Sequence, residues 1–441
     1  MPAITRSNKT TIRRVQQNTL PLEERKKSLM VGDGVNVDWG LVIILILLLS
    51  FGLVSLFSAS MSASVFQGRS GTAYLIRQLT SNFLGLLAIV ILTRFNLKTF
   101  DRPFFASVSY VFVLMLLFFT YFFAPINGAR RWITIPVFGQ FQPSELMKVV
   151  LVYSIAVYFS WLNKQRATGR FTRVKGFKGA LKDTLYDIFI PVLITLVPAL
   201  VTFFQPHFSG MIIMIAIGGV CLLAAGLPLR SWLVAIGTFV LLLLILLTFL
   251  NVLEPVLPQG VRDRFAHVET RLDIFTGNED ATEAQVYQSR NAQIAMGSGG
   301  MFGVGLGQGK QKHNYLPEGH NDYVFSNLVE ENGFVGGMAV LGLFITFFIL
   351  GLRITFHASS IYAQIVAGGM SSLIIIQALL NIAVNVGVIP PTGISLPFFS
   401  YGGTSNLFFL IGIGLLLNVS KYGVSRKDKR VQEVGSIHAR T

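Results

Sequence analysis

The sequence predicts an all-α fold: a polytopic membrane protein with about ten transmembrane helices and a long outer loop between the seventh and eighth. Three observations predict it. Hydrophobic residues fill 52% of the 441 positions and charged residues only 13%, roughly half the charged share of a soluble globular protein. Mean hydropathy is +0.61, so the chain lacks the polar surface that water would require. The apolar residues gather in runs close to the roughly 20 that a helix needs to cross the hydrocarbon core.

Ten runs meet that requirement, at 39–60, 78–94, 104–124, 144–162, 186–204, 209–227, 230–250, 324–351, 362–387 and 398–420. The second is short, and the fifth contains Pro191 and Pro198. Proline is tolerated in a membrane helix where neighbouring groups satisfy the freed carbonyl. The first run is too long for a signal h-region and is expected to be an uncleaved anchor. Cys221, the single cysteine, lies inside an apolar run, which excludes an internal disulfide and a cysteine metal cluster. It reads as a small packing residue.

The net charge of +15 invites a nucleic-acid reading, but its distribution opposes one. With the N-terminus inside, the inner segments, together with Arg94 and Arg230 at the inner ends of their spans, hold 25 of the 36 Lys and Arg, the bias that sets membrane topology. Both termini are therefore expected in the cytoplasm. The chain divides into a basic tail at 1–38, a transmembrane domain at 39–420 and a basic tail at 421–441. The tails suit contact with anionic headgroups or a cytoplasmic partner.

Two outer segments break the run of short connections. Residues 251–323 are too polar for lipid, and long loops are usually functional or disordered. A short helix is predicted from Ala284 to Met296, stopped by Gly297, Gly299 and Gly300. Residues 388–400 carry Pro390, Pro391, Gly393 and Pro397, which force irregular backbone. At membrane depth such backbone must be buried in protein or line a wet cavity.

Four constellations bear chemistry. The first is Gly128-Ala129-Arg130-Arg131-Trp132-Ile133, two outer arginines beside a Trp, read either as an interfacial anchor or as an anion site, since guanidinium pairs bidentately with phosphate. The second is Phe141-Gln142-Pro143-Ser144-Glu145-Leu146-Met147-Lys148. Ser144 is an N-cap candidate, and Glu145 and Lys148 share a helix face. Charges within a membrane helix must face protein or a wet cavity, as a structural ion pair or as a substrate or proton site.

The third runs from Tyr315 through Glu318, His320 and Asp322 to Ser326. Asp322 stands where an apolar helix begins and could be a general base; the local sequence alone favours a helix N-cap. Glu330 and Glu331 read as polar contacts between helices. The fourth runs from Pro391 to Asn406 and includes Ser400 and Gly402. Its glycines and hydroxyls suit close helix packing or a re-entrant turn lining a substrate cavity. The run Gly303 to Lys310 evokes a phosphate loop without its spacing, and His313 and His320 match no zinc motif.

At these four segments the sequence resembles the SEDS family (shape, elongation, division and sporulation), whose branches are typified by FtsW, RodA and SpoVE. The matching marks are Gly128 to Ile133, Gln142-Pro143-Ser144-Glu145 with Lys148, Leu316 to Phe325, and Pro391 to Ser405. The wording of Pro391-Thr392-Gly393-Ile394-Ser395-Leu396-Pro397 is nearer the division or sporulation branch, FtsW-like, than RodA. One departure falls at Gln205-Pro206-His207-Phe208-Ser209-Gly210, where the family often carries an acid. No role for that acid passes to His207.

The resemblance implies a peptidoglycan glycosyltransferase in the cytoplasmic membrane of a bacterium. Its substrate would be lipid II, a disaccharide-pentapeptide on undecaprenyl diphosphate. It puts the family's functional aspartate on Asp322. An α-linked donor giving a β-1,4 bond implies inversion in a single displacement, for which one carboxylate base suffices. The departing diphosphate needs cations, for which Arg130, Arg131 and Lys148 are candidates, with Glu145 orienting Lys148. His320, Ser400 and Gly402 complete the expected substrate-binding set. A divalent cation such as Mg2+ or Mn2+ is the cofactor that this chemistry admits. A lipid II flippase and a scaffold for a transpeptidase are the alternative readings. The expected partners are a class B penicillin-binding protein, itself a transpeptidase, and other division proteins.

Overall fold

The computed structural model describes residues 37–66, 70–125, 129–135, 139–171, 173, 176–240, 283–311, 319, 321–391, 393–402 and 404–423. Most of both expected tails, much of the expected loop, and Glu318, His313 and His320 lie outside the described residues.

Apolar runs fold into helices because only intra-segment hydrogen bonds satisfy a backbone in lipid. Helix α1 is Trp39–Phe66, α2 Ala73–Leu92, α3 Pro103–Phe119 and α4 Pro143–Ala167. Helix α5, Lys178–Phe204, passes through a π turn at Leu185–Phe189. Helices α6, Phe208–Ala224, and α7, Leu229–Val240, are shorter. Helix α8, Glu283–Gly299, occupies the expected loop. Helices α9, Val324–Phe356, α10, Ile361–Val386, and α11, Ser405–Tyr422, complete the bundle. Among the described residues, eight helices are long and apolar enough to cross a membrane, and α6 and the described part of α7 are shorter apolar ones. This is a multi-pass helical membrane protein, as the hydropathy predicts.

Helix α10 is central, packing on α4, α6, α9 and α11, while α11 also covers α2 and α1 packs on α2 and α9. Leu151, Val152, Ile155, Val366, Met370 and Leu416 are among the core side chains. Cys221 is fully buried where Gly369 lets the helices close; a Cβ on Gly369 would come within 3.1 Å of its Sγ. At one end of the bundle ion pairs join α4, α5 and α7. Asp187 accepts from Arg166 at 2.7 Å and Ser231 at 3.0 Å, and Asp183 pairs with Arg230.

Three local expectations change. Helix α2 begins at Ala73 rather than near 78, because Tyr74 meets Tyr401 edge-on with ring centroids 4.6 Å apart and Gln78 donates to the carbonyl of Ser400 at 3.3 Å. The last span begins at Ser405 rather than at 398. Phe398 has a left-handed φ of 70°, and its N–H donates to Asn406 Oδ1 at 3.0 Å, which draws it out of the helix. Ser144 is not a cap: Gln142 holds that position, Pro143 opens α4, and no side chain caps it.

Helix α9 breaks at Gly333, whose φ is 71°, and the glycine-rich stretch after α8 repairs the break. Phe334 and Val335 N–H donate to the carbonyls of Gly300 and Met301 at 2.9 and 3.1 Å. Val304 and Gly305 N–H donate to the carbonyls of Glu330 and Glu331 at 3.0 Å each. The phosphate-loop lookalike is thus a backbone splice, and it holds α8 against α9.

Candidate active site

Asp322 lies directly before α9. Tyr323 occupies the helix N-cap without a side-chain cap bond, so the carboxylate of Asp322 is not the cap that the local sequence favours. Its Oδ2 faces Gly393, where an added Cβ would sit 3.4 Å away. Gly393 has a φ of 67°, so the irregular segment passes the carboxylate closely in a conformation that suits glycine.

The backbone of Asp322 is held by two buried amides of α10. Asn381 Nδ2 donates to the Asp322 carbonyl at 2.8 Å and to the Ile394 carbonyl at 2.6 Å. Asn385 Nδ2 donates to the Asp322 carbonyl at 3.0 Å. Asn385 Oδ1 accepts from Ser326 N–H at 3.1 Å and Ser326 Oγ at 2.6 Å. Ser400 Oγ donates to the Asn321 carbonyl at 2.6 Å and accepts from Leu396 N–H at 2.7 Å. Ser400, expected to touch substrate, is buried and ties the two irregular segments together instead.

Lys148 is 1% exposed and Glu145 5%. Lys148 Nζ donates to Glu145 Oε1 at 2.8 Å and to Gln377 Oε1 at 2.7 Å, and lies 2.7 Å from Glu145 Oε2. Two of the three donors of the ammonium are thus hydrogen-bonded, and the contact with Glu145 Oε2 is electrostatic, without hydrogen-bond geometry. The pair is internal, the structural alternative of the two that the sequence leaves open. Lys148, expected at the diphosphate, is buried in the bundle against Glu145 and Gln377. Gln377 Nε2 donates onward to the carbonyl of Ser395 at 3.2 Å.

Strands Ile133–Ile135 and Gly139–Phe141 pair as an antiparallel hairpin before α4. Phe141 meets Phe408 of α11 edge-on, with centroids 5.5 Å apart. The preceding Arg130 and Arg131 are therefore at the Asp322 end of the bundle. Arg130 is exposed and donates to the Tyr121 carbonyl at 3.0 Å. The guanidinium of Arg131 lies 5.9 Å from the Trp132 ring centre. Arg77 of α2 donates to Tyr401 Oη at 3.3 Å, beside Gly402. His207 is buried against Gln142 Nε2 at 3.3 Å and Ser144 Oγ at 3.2 Å. Glu331 accepts from Ser58 of α1 at 2.7 Å, and Glu330 from Lys310 N–H at 2.8 Å. His320 lies outside the described residues.

The site therefore joins Asp322 to Lys148 and Glu145 through groups that charge-based reading passed over, Gln377, Asn381 and Asn385, while Ser400 links in through the Asn321 carbonyl. Their signal was present, three amides at intervals of four in the otherwise apolar stretch of α10 after Ser372.

Fold and site together define a polytopic helical membrane protein with a polar centre at one end of its bundle, built from irregular segments and a carboxylate at a helix start. Residues 38–424 match the model of the family FTSW_RODA_SPOVE, described as cell cycle protein, and the chain belongs to this family. It is 30% identical over 406 residues to an Enterococcus hirae protein named "Probable peptidoglycan glycosyltransferase FtsW", covering 90% of this chain and 96% of that one. It is 33% identical over 388 residues to stage V sporulation protein E of Bacillus subtilis (strain 168), covering 87% and 97%. A solved structure described as the structural coordination of polymerization and crosslinking by a peptidoglycan synthase complex superposes with a TM-score of 0.64 at 27% identity, over 88% of this chain and 98% of that one. The crystal structure of the rod shape determining protein RodA of Thermus thermophilus gives 0.58 at 26%, over 88% and 97%.

Proposed function

We propose that this chain is a peptidoglycan glycosyltransferase that polymerises lipid II at the outer face of the cytoplasmic membrane, with both termini cytoplasmic, and that it serves cell division. The observation that carries the reading is Asp322, a carboxylate at a membrane-helix start whose main chain is held by buried amides, in a chain whose relatives carry the glycosyltransferase name.

Asp322 is the general base. It takes the proton from the acceptor sugar hydroxyl as that oxygen bonds to C1 of the donor. The bond from C1 to the diphosphate breaks, and the diphosphate leaves with the electron pair. Arg130 and Arg131 neutralise the charge that develops there. Lys148 and Glu145 act behind them, holding Gln377. Among the described residues no three His, Cys, Asp or Glu side chains gather to hold a metal. A Mg2+ or Mn2+ ion held mainly by diphosphate oxygens and water, as Mg2+ commonly is, would neutralise charge on the leaving group.

The partner is a class B penicillin-binding protein, consistent with a structural neighbour described as a peptidoglycan synthase complex. The test is to incubate the purified full chain with lipid II in detergent, with and without that partner. Glycan polymer is the expected product. Movement of lipid II across vesicles without polymer supports the flippase instead, and polymerisation by the partner mixture that is unchanged when Asp322 is replaced supports the scaffold.

A further inference from the structure

Gln377, Asn381 and Asn385 recur every four residues along α10 and are all buried. Four-residue spacing puts them on one helix face, about 12 Å from first to last. Each uses its amide to join segments distant in sequence. Gln377 links Lys148 of α4 to the Ser395 carbonyl. Asn381 links the Ile394 carbonyl to the Asp322 carbonyl. Asn385 links the Asp322 carbonyl to Ser326 of α9 and donates to Asn381 Oδ1 at 3.3 Å.

A pure packing role would not need this pattern. Apolar side chains would fill the same helix face without desolvating amides. The amides instead answer a specific demand: carbonyls 322, 394 and 395 belong to irregular backbone, and buried carbonyls need donors. Of these three amides, Asn381 is the one that contacts both the segment that carries Asp322 and the segment that Asp322 faces through Gly393.

We infer that Asn381 is a positioning residue for the reaction: its single NH2 group fixes the separation between the Asp322 carboxylate and the 393–395 segment, and Gln377 and Asn385 hold that register from either side. The inference rests on the glycosyltransferase reading of the site. Replacing Asn381 by the near-isosteric Asp turns the shared donor into an acceptor facing two carbonyls. The carboxylate then loses its fixed place without a change in side-chain volume. Misplacement of a catalytic group by about 1 Å can cost roughly 100-fold.

The control is Asn418 of α11, a buried asparagine that donates to the carbonyls of Leu92 and Phe95 at 2.7 and 2.8 Å and belongs to no part of the proposed site. Asn381→Asp, Asn381→Leu and Asn418→Asp are made in the full chain and compared with wild type for polymerisation rate, KM for lipid II and thermal midpoint in detergent. Both Asn381 variants are expected to lose about 100-fold in kcat with KM changed less than about threefold. Asn418→Asp is expected to keep its kcat even where its midpoint falls as far. The inference is overturned if Asn381→Asp polymerises at the wild-type rate, or if kcat falls equally in Asn418→Asp at equal midpoint. It is overturned equally if the loss appears in KM alone. Wild-type chain that makes no polymer removes the glycosyltransferase reading itself, and that outcome is read in a separate arm.

Discussion

Lys148 Nζ donates to Gln377 Oε1 at 2.7 Å, from α4 across to α10, and to Glu145 Oε1 at 2.8 Å. A buried pair of this kind is costly to break on one side, because the charge left behind has no partner. Lys148→Met should destabilise the chain by about 3–5 kcal/mol. The double variant Glu145→Gln with Lys148→Met should lose less than Lys148→Met alone. Thermal unfolding of the four chains in detergent gives the cycle; a double variant less stable than either single one would contradict the pairing.

Gly333 interrupts α9 with a left-handed φ, and a Cβ there would come within 2.4 Å of both Gly303 N and the Met301 carbonyl. Gly333→Ala should therefore cost at least about 1–3 kcal/mol and loosen α8 from α9. Gly342, in the same helix, has nothing within 4 Å of its added Cβ. Gly342→Ala should be neutral or slightly stabilising. Hydrogen exchange over 299–311 checks the first variant: faster exchange than in Gly342→Ala is expected.

Arg130 and Arg131 precede the hairpin that packs on α11. If they hold the diphosphate, each Arg→Ala change should weaken lipid II binding about tenfold, the weight of one charge-assisted hydrogen bond. Wild-type affinity should fall more steeply with salt than that of either variant, so that the defect narrows as salt rises. Equal affinity in Arg130→Ala, Arg131→Ala and wild type would leave these arginines as interfacial anchors.

The helices were legible because a membrane span is a property of composition over about 20 residues. Their ends were not, where tertiary partners decide. Tyr74 and Gln78 extend α2 downward only because Tyr401 and Ser400 receive them. Asn406 delays α11 by capturing the Phe398 N–H. Proline and glycine density announced the irregular 388–400 segment. Asp322 was legible as a carboxylate at a helix start, but its local pattern suits a cap, and only the backbone geometry at Tyr323 separates the two. The charges Glu145 and Lys148 were conspicuous in the sequence, yet whether they face each other or a cavity depends on α10. The amides of α10 were visible as a polar stripe; that they serve the carbonyls of residues more than ten positions away, as Asn381 serves Ile394, belongs to tertiary structure.

In the proposed reaction Asp322 removes the acceptor proton. The most direct measurement is lipid II polymerisation by the purified Asp322→Asn chain, with lipid II binding and thermal midpoint recorded on the same preparation. Asn keeps the side-chain volume, and the amides of α10 hold the backbone carbonyl rather than the carboxylate. Folding and binding should therefore match wild type, while the rate falls by at least about 100-fold, the usual weight of a general base. A folded Asp322→Asn chain that polymerises within threefold of the wild-type rate would contradict the claim.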